Sequence, residues 1–402
     1  MIRYRALLLV VGLNVAVSAG CQGASLDTGG RSIVHGRGLP PTVVTFDQST
    51  VAEVADSAPV LEPGTLSTLD GMVAQLAGKR VIFIGENHDR LEHHLVQLAI
   101  LSRLYQRRPA LAVGMEFFQI PFQRYLDEYV AGRLDDSGLL EATEYFDRWG
   151  YDYRLYQPIL QFAKTHGLPV VALNASNELV KKVSEGGIAG LAPSDRAQLP
   201  ADMAPADAHY RARLRSVFDL HPTGERKEFG RFVEVQLLWD EAMAETVAKY
   251  LQRHAKRSLV VLAGNGHLAY RSGIPDRLQR RIEVDDAVVL NGADSGIEPG
   301  IADYVVLPES RALPPAGRLG VLLDAASDTV RIKALDAGSA GAAAGVRSGD
   351  ILVELGGRSI GTLADVKIAL WDKLPGERVL ARVRRDRGLF GQADHLFDVE
   401  LQ

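Results

Sequence analysis

Two stretches of the chain carry the same short pattern, Gly-x-x-His, at Gly85-Glu86-Asn87-His88 and at Gly264-Asn265-Gly266-His267, and each follows an unbroken apolar run. A strand that turns at glycine to present an imidazole places a group whose proton comes off near neutral pH, suited to ligation or to acid–base work. Glu116 stands between Met115 and Phe117, the setting of a buried carboxylate. His88, Glu116 and His267 together make a donor set for a divalent cation such as Zn, Mn or Fe. They also make a base and an acid for attack on an ester or amide bond. His94 falls in the first turns of the helical stretch after His88, close to the same edge, where the helix N-terminus favours its neutral form. Taken singly, Glu86 and Asp89 read as helix N-terminal acids and each histidine as a loop residue; their recurrence at strand ends is what points to a site.

The elements that must hold these residues are short apolar runs at Val81–Ile84, Leu111–Val113, Val170–Leu173, Leu259–Leu262 and Ala287–Leu290, which read as buried strands. Helical patterns separate them at Glu92–Tyr105, Pro121–Ala131 and Phe229–His254. The fold class is therefore α/β, a largely parallel sheet flanked by helices. In such a sheet ligands bind beyond the carboxyl ends of the strands, where the Gly-x-x-His pairs, Glu116 and Asn174 fall. The long helix from Phe229 offers Gln236, Trp239, Asp240 and Met243 on one face as a wall for that edge. A Gly- and Pro-rich stretch with Pro308, Pro314 and Pro315 marks a boundary before a small, mainly-β unit. The predicted division is a leader at 1–20, a tether at 21–62, the α/β body at 63–300, a linker at 301–316 and the second unit at 317–402.

The 402 residues are 47% apolar and 24% charged, which suits a soluble globular chain and excludes disordered and multi-span membrane classes. With 45 basic and 50 acidic residues the net charge is −5, and no basic run would gather nucleic acid. Arg3 and Arg5 precede the apolar run Ala6–Val17 and then Ser18-Ala19-Gly20-Cys21, the order of an export signal and too short for a membrane-spanning helix. Cys21 is the only cysteine, so it has no partner in the chain for a disulfide. A thiol directly after small residues resembles the acylation site of bacterial lipoproteins, although Ser18 stands where leucine is usual.

The motifs Gly85-Glu86-Asn87-His88-Asp89, Gly114-Met115-Glu116, Tyr156-x-Pro158, Gln236-x-x-Trp239-Asp240 and Gly264-Asn265-Gly266-His267 resemble the ChaN-like haem-binding lipoproteins. The resemblance spans about residues 75 to 285 and extends to the erythromycin esterase and Tiki/TraB-like proteins. It implies haem or iron as ligand, with Glu86, His88, His94, Tyr156 and His267 as the residues around it. The family's tyrosine ligand falls among Tyr151, Tyr153 and Tyr156. The esterase side of the resemblance implies a hydrolase built on His88, Glu116 and His267, with or without a divalent metal.

Residues 317 to 402 resemble a PDZ domain. Arg318-Leu319-Gly320-Val321 matches its carboxylate-binding loop, Gly345-Val346-Arg347-Ser348-Gly349-Asp350 its characteristic turn, and Thr362 to Lys373 its groove helix. Leu319, Gly320 and Val321 would hold the free C-terminus of a peptide or protein partner. The expected setting is the envelope of a bacterium, lipid-anchored and facing the periplasm, with a homodimer among the expected partners. If Cys21 is acylated, Cys21→Ser moves the protein from the membrane fraction to the soluble periplasm on fractionation, and unchanged partition refutes lipidation.

Overall fold

In a computed structural model, the structure describes Ser49, residues 60–62, 65–219, 228–292, 297–327 and 329–402. Cys21 and the expected leader lie outside the described residues. The body is one eight-stranded sheet in the order β2-β1-β8-β7-β3-β6-β4-β5. Its strands are β1 (Val60–Glu62), β2 (Thr65–Ser67), β3 (Val81–Glu86), β4 (Leu111–Gln119), β5 (Val170–Asn174), β6 (Ser258–Gly264), β7 (Asp286–Asn291) and β8 (Tyr304–Val306). From β8 to β5 every neighbouring pair is parallel, and β1 and β2 close one edge antiparallel.

Successive residues of the central strands serve opposite faces, as the two-residue period requires. Ile82, Ile84, Val113, Met115, Val260 and Leu262 join a core with the helices Leu91–Arg107, Gln123–Val130 and Gln157–Thr165. Val81, Phe83, Leu259, Val261 and Leu290 join another beneath the helices Phe229–Arg253 and Ile274–Arg281. A sheet covered on both faces needs apolar residues at every position, and that is why its strands read as unbroken runs. Among the described residues no helix is long and apolar enough to cross a membrane.

The sheet takes in two segments that the sequence reading left in tether and linker. β1 pairs with β8, and β8 extends the parallel ladder through β7. Each is three residues long, too short to show a period. The strand glycine before the first site also differs from expectation. Gly85 lies inside β3 rather than at a turn, and a Cβ there would come within 2.2 Å of Asn265 Oδ1 and 2.8 Å of a Leu290 methyl. Its role is close approach: Asn265 donates to Asn87 Oδ1 (3.1 Å) and to the Asn291 carbonyl (2.8 Å), and Asn291 donates to the Gly85 carbonyl (2.8 Å). Three strand ends are laced together there.

The C-terminal unit is an antiparallel sheet in the order β14-β13-β11-β10-β9, with β12 paired to β11. Its strands are β9 (Val321–Ser327), β10 (Thr329–Leu335), β11 (Ile351–Leu355), β12 (Arg358–Ser359), β13 (Arg378–Asp386) and β14 (Gln392–Glu400). Leu319, Val330, Leu352, Val383 and Val399 fill its core. Asp350, in the predicted turn, is buried and takes two 2.7 Å bonds from Arg385. Gly320 adopts φ +63° and packs so tightly on Ser339 that a Cβ would lie 2.4 Å from it. β9 is an edge strand of the sheet.

Gly85→Ala must push Asn265 from its place. We expect a loss of about 1–3 kcal/mol, as for other overpacked interiors, read by denaturant unfolding. An unchanged midpoint would mean that the lacing of strand ends is not tight.

Candidate functional site

The strand order explains why residues far apart in sequence meet. β6 lies between β3 and β4, so the carboxyl ends that carry Glu86 and His88, Gly264 and His267, and Glu116 are neighbours. β4 breaks register with β5 between Met115 and Gln119, and Glu116 stands in that irregular stretch. Such irregularities re-aim a side chain. Its Oε2 accepts from the Gly264 amide at 2.7 Å, and Asn174 Nδ2 donates to its carbonyl at 3.2 Å. A Cβ on Gly264 would lie 3.1 Å from His88 Cε1 and 3.7 Å from Glu116 Oε2. The bare glycine therefore lets the two sides of the site face each other.

One side is built on Glu86. Its carboxylate meets His88 Nδ1 at 2.5 Å and His94 Nε2 at 3.1 Å. Gln97 donates its amide to the Ile84 carbonyl (3.1 Å), so its oxygen is the atom turned to His94 Nδ1 at 3.2 Å. Burial opposes a charge on His88, but the charge and hydrogen bond of Glu86, followed by the charge of Glu116, outweigh it and raise its pKa. For His94 burial wins and its pKa is lowered. The neighbouring His93 and Glu92 are both buried. His93 Nδ1 accepts from the Asn87 amide at 3.0 Å, and burial brings its pKa down to about 4. Glu92 accepts from Arg90 and from the Arg311 amide of the segment that follows β8.

The other side is built on His267. Its Nε2 faces Glu116 Oε1 at 3.3 Å and its Nδ1 faces Asp240 Oδ1 at 2.6 Å. Tyr210 donates to the second Asp240 oxygen at 2.6 Å. Burial disfavours the imidazolium, yet Glu116 and Asp240 overcome it and lift the His267 pKa to about 10. Burial works against the Glu116 charge as well, but His267 more than offsets it and Glu116 falls to about 2. The loop after His267 is wound tightly: a Cβ on Gly273 would strike the His267 carbonyl at 2.0 Å, and Tyr270 and Arg271 both take positive φ. Trp239 stands edge-on to His267 at 6.2 Å, whereas Met243 belongs to the core.

An aromatic cap covers the first side. Trp149 and Tyr151 lie 4.7 and 5.0 Å from the His88 ring, and Tyr156 lies 4.5 Å from His94. Tyr156 is fully buried and donates to the His88 carbonyl at 3.2 Å, so it is an internal strut. Tyr153 is likewise buried and donates to Asp136 at 2.6 Å. Tyr151 is half-buried, and its hydroxyl has no hydrogen-bond partner among the described residues. Burial, then the charges of Glu86 and Asp89, raise its pKa.

Glu86, His88, His94, Glu116 and His267 are thus brought together, with Tyr156 beneath them, while Leu319, Gly320 and Val321 belong to the other unit. Among the described residues no group of three or more His, Cys, Asp or Glu side chains is arranged to hold a metal ion. His267 and Glu116 spend their ring nitrogens and oxygens on one another, on Asp240 and on Gly264, and His88 gives its Nδ1 to Glu86. Two members of the site were not foreseen in their roles: Asp240 was read as part of a wall and of the Gln236-x-x-Trp239-Asp240 motif but not as the partner of His267, and Tyr210 lies outside every pattern.

A family model described as haem-binding uptake, Tiki superfamily, ChaN matches residues 72–278, and a PDZ domain model matches residues 317–401. Among solved structures, ChaN of Campylobacter jejuni with cofacial haem is 19% identical with a TM-score of 0.51. It covers 63% of this chain and 97% of that one. An erythromycin esterase in its open conformation is 14% identical with a TM-score of 0.37, over 62% of this chain and 81% of that one. The Arabidopsis thaliana protein RETICULATA-RELATED 5, chloroplastic, is 22% identical over 265 residues, 61% of this chain; the chain spans 36% of that relative's length.

The His267 and Glu116 shifts fix a pH window. A raised histidine pKa stabilises fully below its ordinary 6.5 and loses its contribution as pH rises through about 10. A lowered glutamate pKa stabilises above its ordinary 4.5 and is lost as pH falls through about 2. Asp240→Asn removes one of the two anions at His267. The His267 ring should then titrate lower by NMR, and the alkaline loss of stability should begin at lower pH; an unmoved ring titration would show that Asp240 does not set its charge.

Proposed function

The chain belongs to the haem-binding uptake family ChaN of the Tiki superfamily, and from that premise we propose that its body captures haem at the mouth of the His88 site, against Trp149 and Tyr151. The observation that carries this reading is the Tyr151 phenol, unbonded and half-buried beside His88. Haem, when bound, would supply an iron that takes an oxygen or imidazole donor. Tyr151 supplies such an oxygen. His88 holds its Nδ1 on Glu86 and so keeps Nε2 as its open donor. Trp149 and Tyr151, tilted 49° to one another with ring centroids 5.5 Å apart, would give the ligand aromatic contacts beside His88. The raised Tyr151 pKa means that its phenolate must be drawn out by the ligand.

In this reading the PDZ domain recruits a partner by a free C-terminal carboxylate at Leu319–Val321, with an extended segment added along the open edge of β9. Cys21 carries the lipid, the stretch between Cys21 and β1 spaces the body from the membrane, and the chain serves haem or iron uptake on the periplasmic side of a bacterial envelope.

A second reading is favoured by one arrangement: two histidine–carboxylate pairs face each other across Gly264. A group that takes a proton and a group that returns one are what hydrolysis of an ester or amide needs. In that case His88 is the base and the protonated His267 the acid, with Glu116 orienting them.

Hemin titration followed at the Soret band tests the first reading. Tyr151→Phe should remove most of the Soret change, and Tyr156→Phe should retain it. Retention in Tyr151→Phe with loss in Tyr156→Phe would return the ligand to the buried phenol and sink the proposed face.

A further inference from the structure

The outer layer of the aromatic cap is not made by the body alone. The cap rests on the helices Asp136–Ala142 and Tyr145–Arg148, and against these stands the PDZ helix Leu363–Leu370. Ile368 of that helix is buried in the body's core rather than in the PDZ core, and Trp371 packs against the same cluster. The Trp371 indole N–H donates to Ser137 Oγ at 3.3 Å, and its ring meets Tyr153 edge-on at 5.1 Å. Lys367 lies over the Phe146 ring at 5.4 Å, and Arg358 pairs with Glu141 at 3.1 Å.

The chain between the two units binds the same cap. Arg154, buried within it, donates to the Pro314 carbonyl at 2.9 Å, and Leu313 packs on the body's core. From Trp371 the contacts run inward through rings: Tyr153 lies 5.5 Å from Tyr145, Tyr145 lies 6.4 Å from Tyr156, and Tyr156 holds the His88 carbonyl. Tyr153 is also pinned through its hydroxyl to Asp136, which Tyr129 shares at 2.7 Å. A segment with this many buried rings and few long-range strand bonds takes its position from what packs against it.

We propose that the PDZ domain is the clamp of the aromatic cap, with Trp371 and Ile368 as positioning residues that seat residues 145–156 over His88. The inference rests on the reading of the cap as the ligand-binding wall. The helix that clamps is also the one the sequence assigns to the peptide groove, so the two binding surfaces share an element.

Amide hydrogen exchange on the full chain tests the clamp without any ligand. Trp371→Ala should speed exchange across residues 145–156 by about tenfold while leaving Ser258–Gly264 of the central sheet unchanged. Trp371→Phe, which keeps a ring on Tyr153, should restore most of the protection. Glu141→Lys, an exposed change that turns the Arg358 pair into a repulsion, should loosen the same segment and guards against misfolding of the first variant. Unchanged exchange at 145–156 in both Trp371→Ala and Glu141→Lys overturns the proposal. So does an increase that reaches Ser258–Gly264 equally, because Trp371 would then support only global stability. Hemin binding is measured alongside: wild-type protein that takes no hemin defeats the haem reading while the exchange result still decides the clamp, and weaker hemin binding in Trp371→Ala supports both.

Discussion

Three carboxylates, Glu86, Glu116 and Asp240, are buried at one edge of the sheet, at 1%, 4% and 1% exposure. An ionised carboxylate taken out of water costs several kcal/mol unless it is paired and hydrogen-bonded. Each is paired with imidazole, and much of the local structure follows from that need. Glu86 requires His88 to fold back across two residues of chain, and Gly85 lets Asn265 approach closely enough to hold the turn. Glu116 requires the β4 irregularity to reach the Gly264 amide. Asp240 reaches His267 from a helix on the other face of the sheet, and Tyr210 satisfies the oxygen that remains. Removing any one imidazole strands a buried anion, so the network stands or falls as a unit.

The cap follows a different logic, that of rings rather than charges. A phenol that braces a backbone carbonyl cannot also wait for a ligand, and three of the segment's four tyrosines, Tyr151, Tyr153 and Tyr156, divide along this line, while Tyr145 is buried with its hydroxyl unbonded. Tyr153 and Tyr156 spend their hydroxyls inside, on Asp136 and on His88. Tyr151 keeps its own. The same segment that supports His88 from below therefore offers a donor above it. Because its outer support comes from the PDZ helix and the chain leading to it, the position of that donor belongs to the two-domain protein rather than to the body.

Much of this was legible in the sequence. The buried strands announced themselves by unbroken apolar runs, and the rule that chemistry gathers beyond strand ends brought His88, Glu116 and His267 into one region. Other features had no local signature. β1 and β8 are too short for periodicity. Asp240 meets His267, and Tyr210 meets Asp240, through tertiary packing that no spacing foretells. Composition and order alone cannot distinguish Tyr151 from Tyr156, since only burial separates a strut from a donor. Helix periodicity does not foresee that Glu92 is buried, because a later segment, around Arg311, donates to it from outside the helix. The glycines were read as turn residues when their work is to let Asn265 and His88 come close.

The distribution of unspent donors is the last constraint on what the site can take. His267 has both ring nitrogens engaged, with Glu116 and with Asp240, and Glu116 has both oxygens engaged, with His267 and with Gly264. A ligand that sought either would have to break a charge-assisted bond in a buried setting, at a cost of about 1.5–3 kcal/mol for each one lost. His88 differs: its Nδ1 is held by Glu86, its side chain keeps 11% of its surface, and Nε2 points past Gly264 where no side chain can intervene. The Tyr151 ring lies 5.0 Å from the His88 ring. A ligand that coordinates through imidazole nitrogen or phenolic oxygen meets half-buried open donors at His88 and Tyr151, while one that needs a proton donor meets His267, charged by its two anions. Coordination and proton donation are thus divided between the two sides of Gly264, and this separation is what lets one site admit both a ligand-binding and a hydrolytic reading while assigning them different residues.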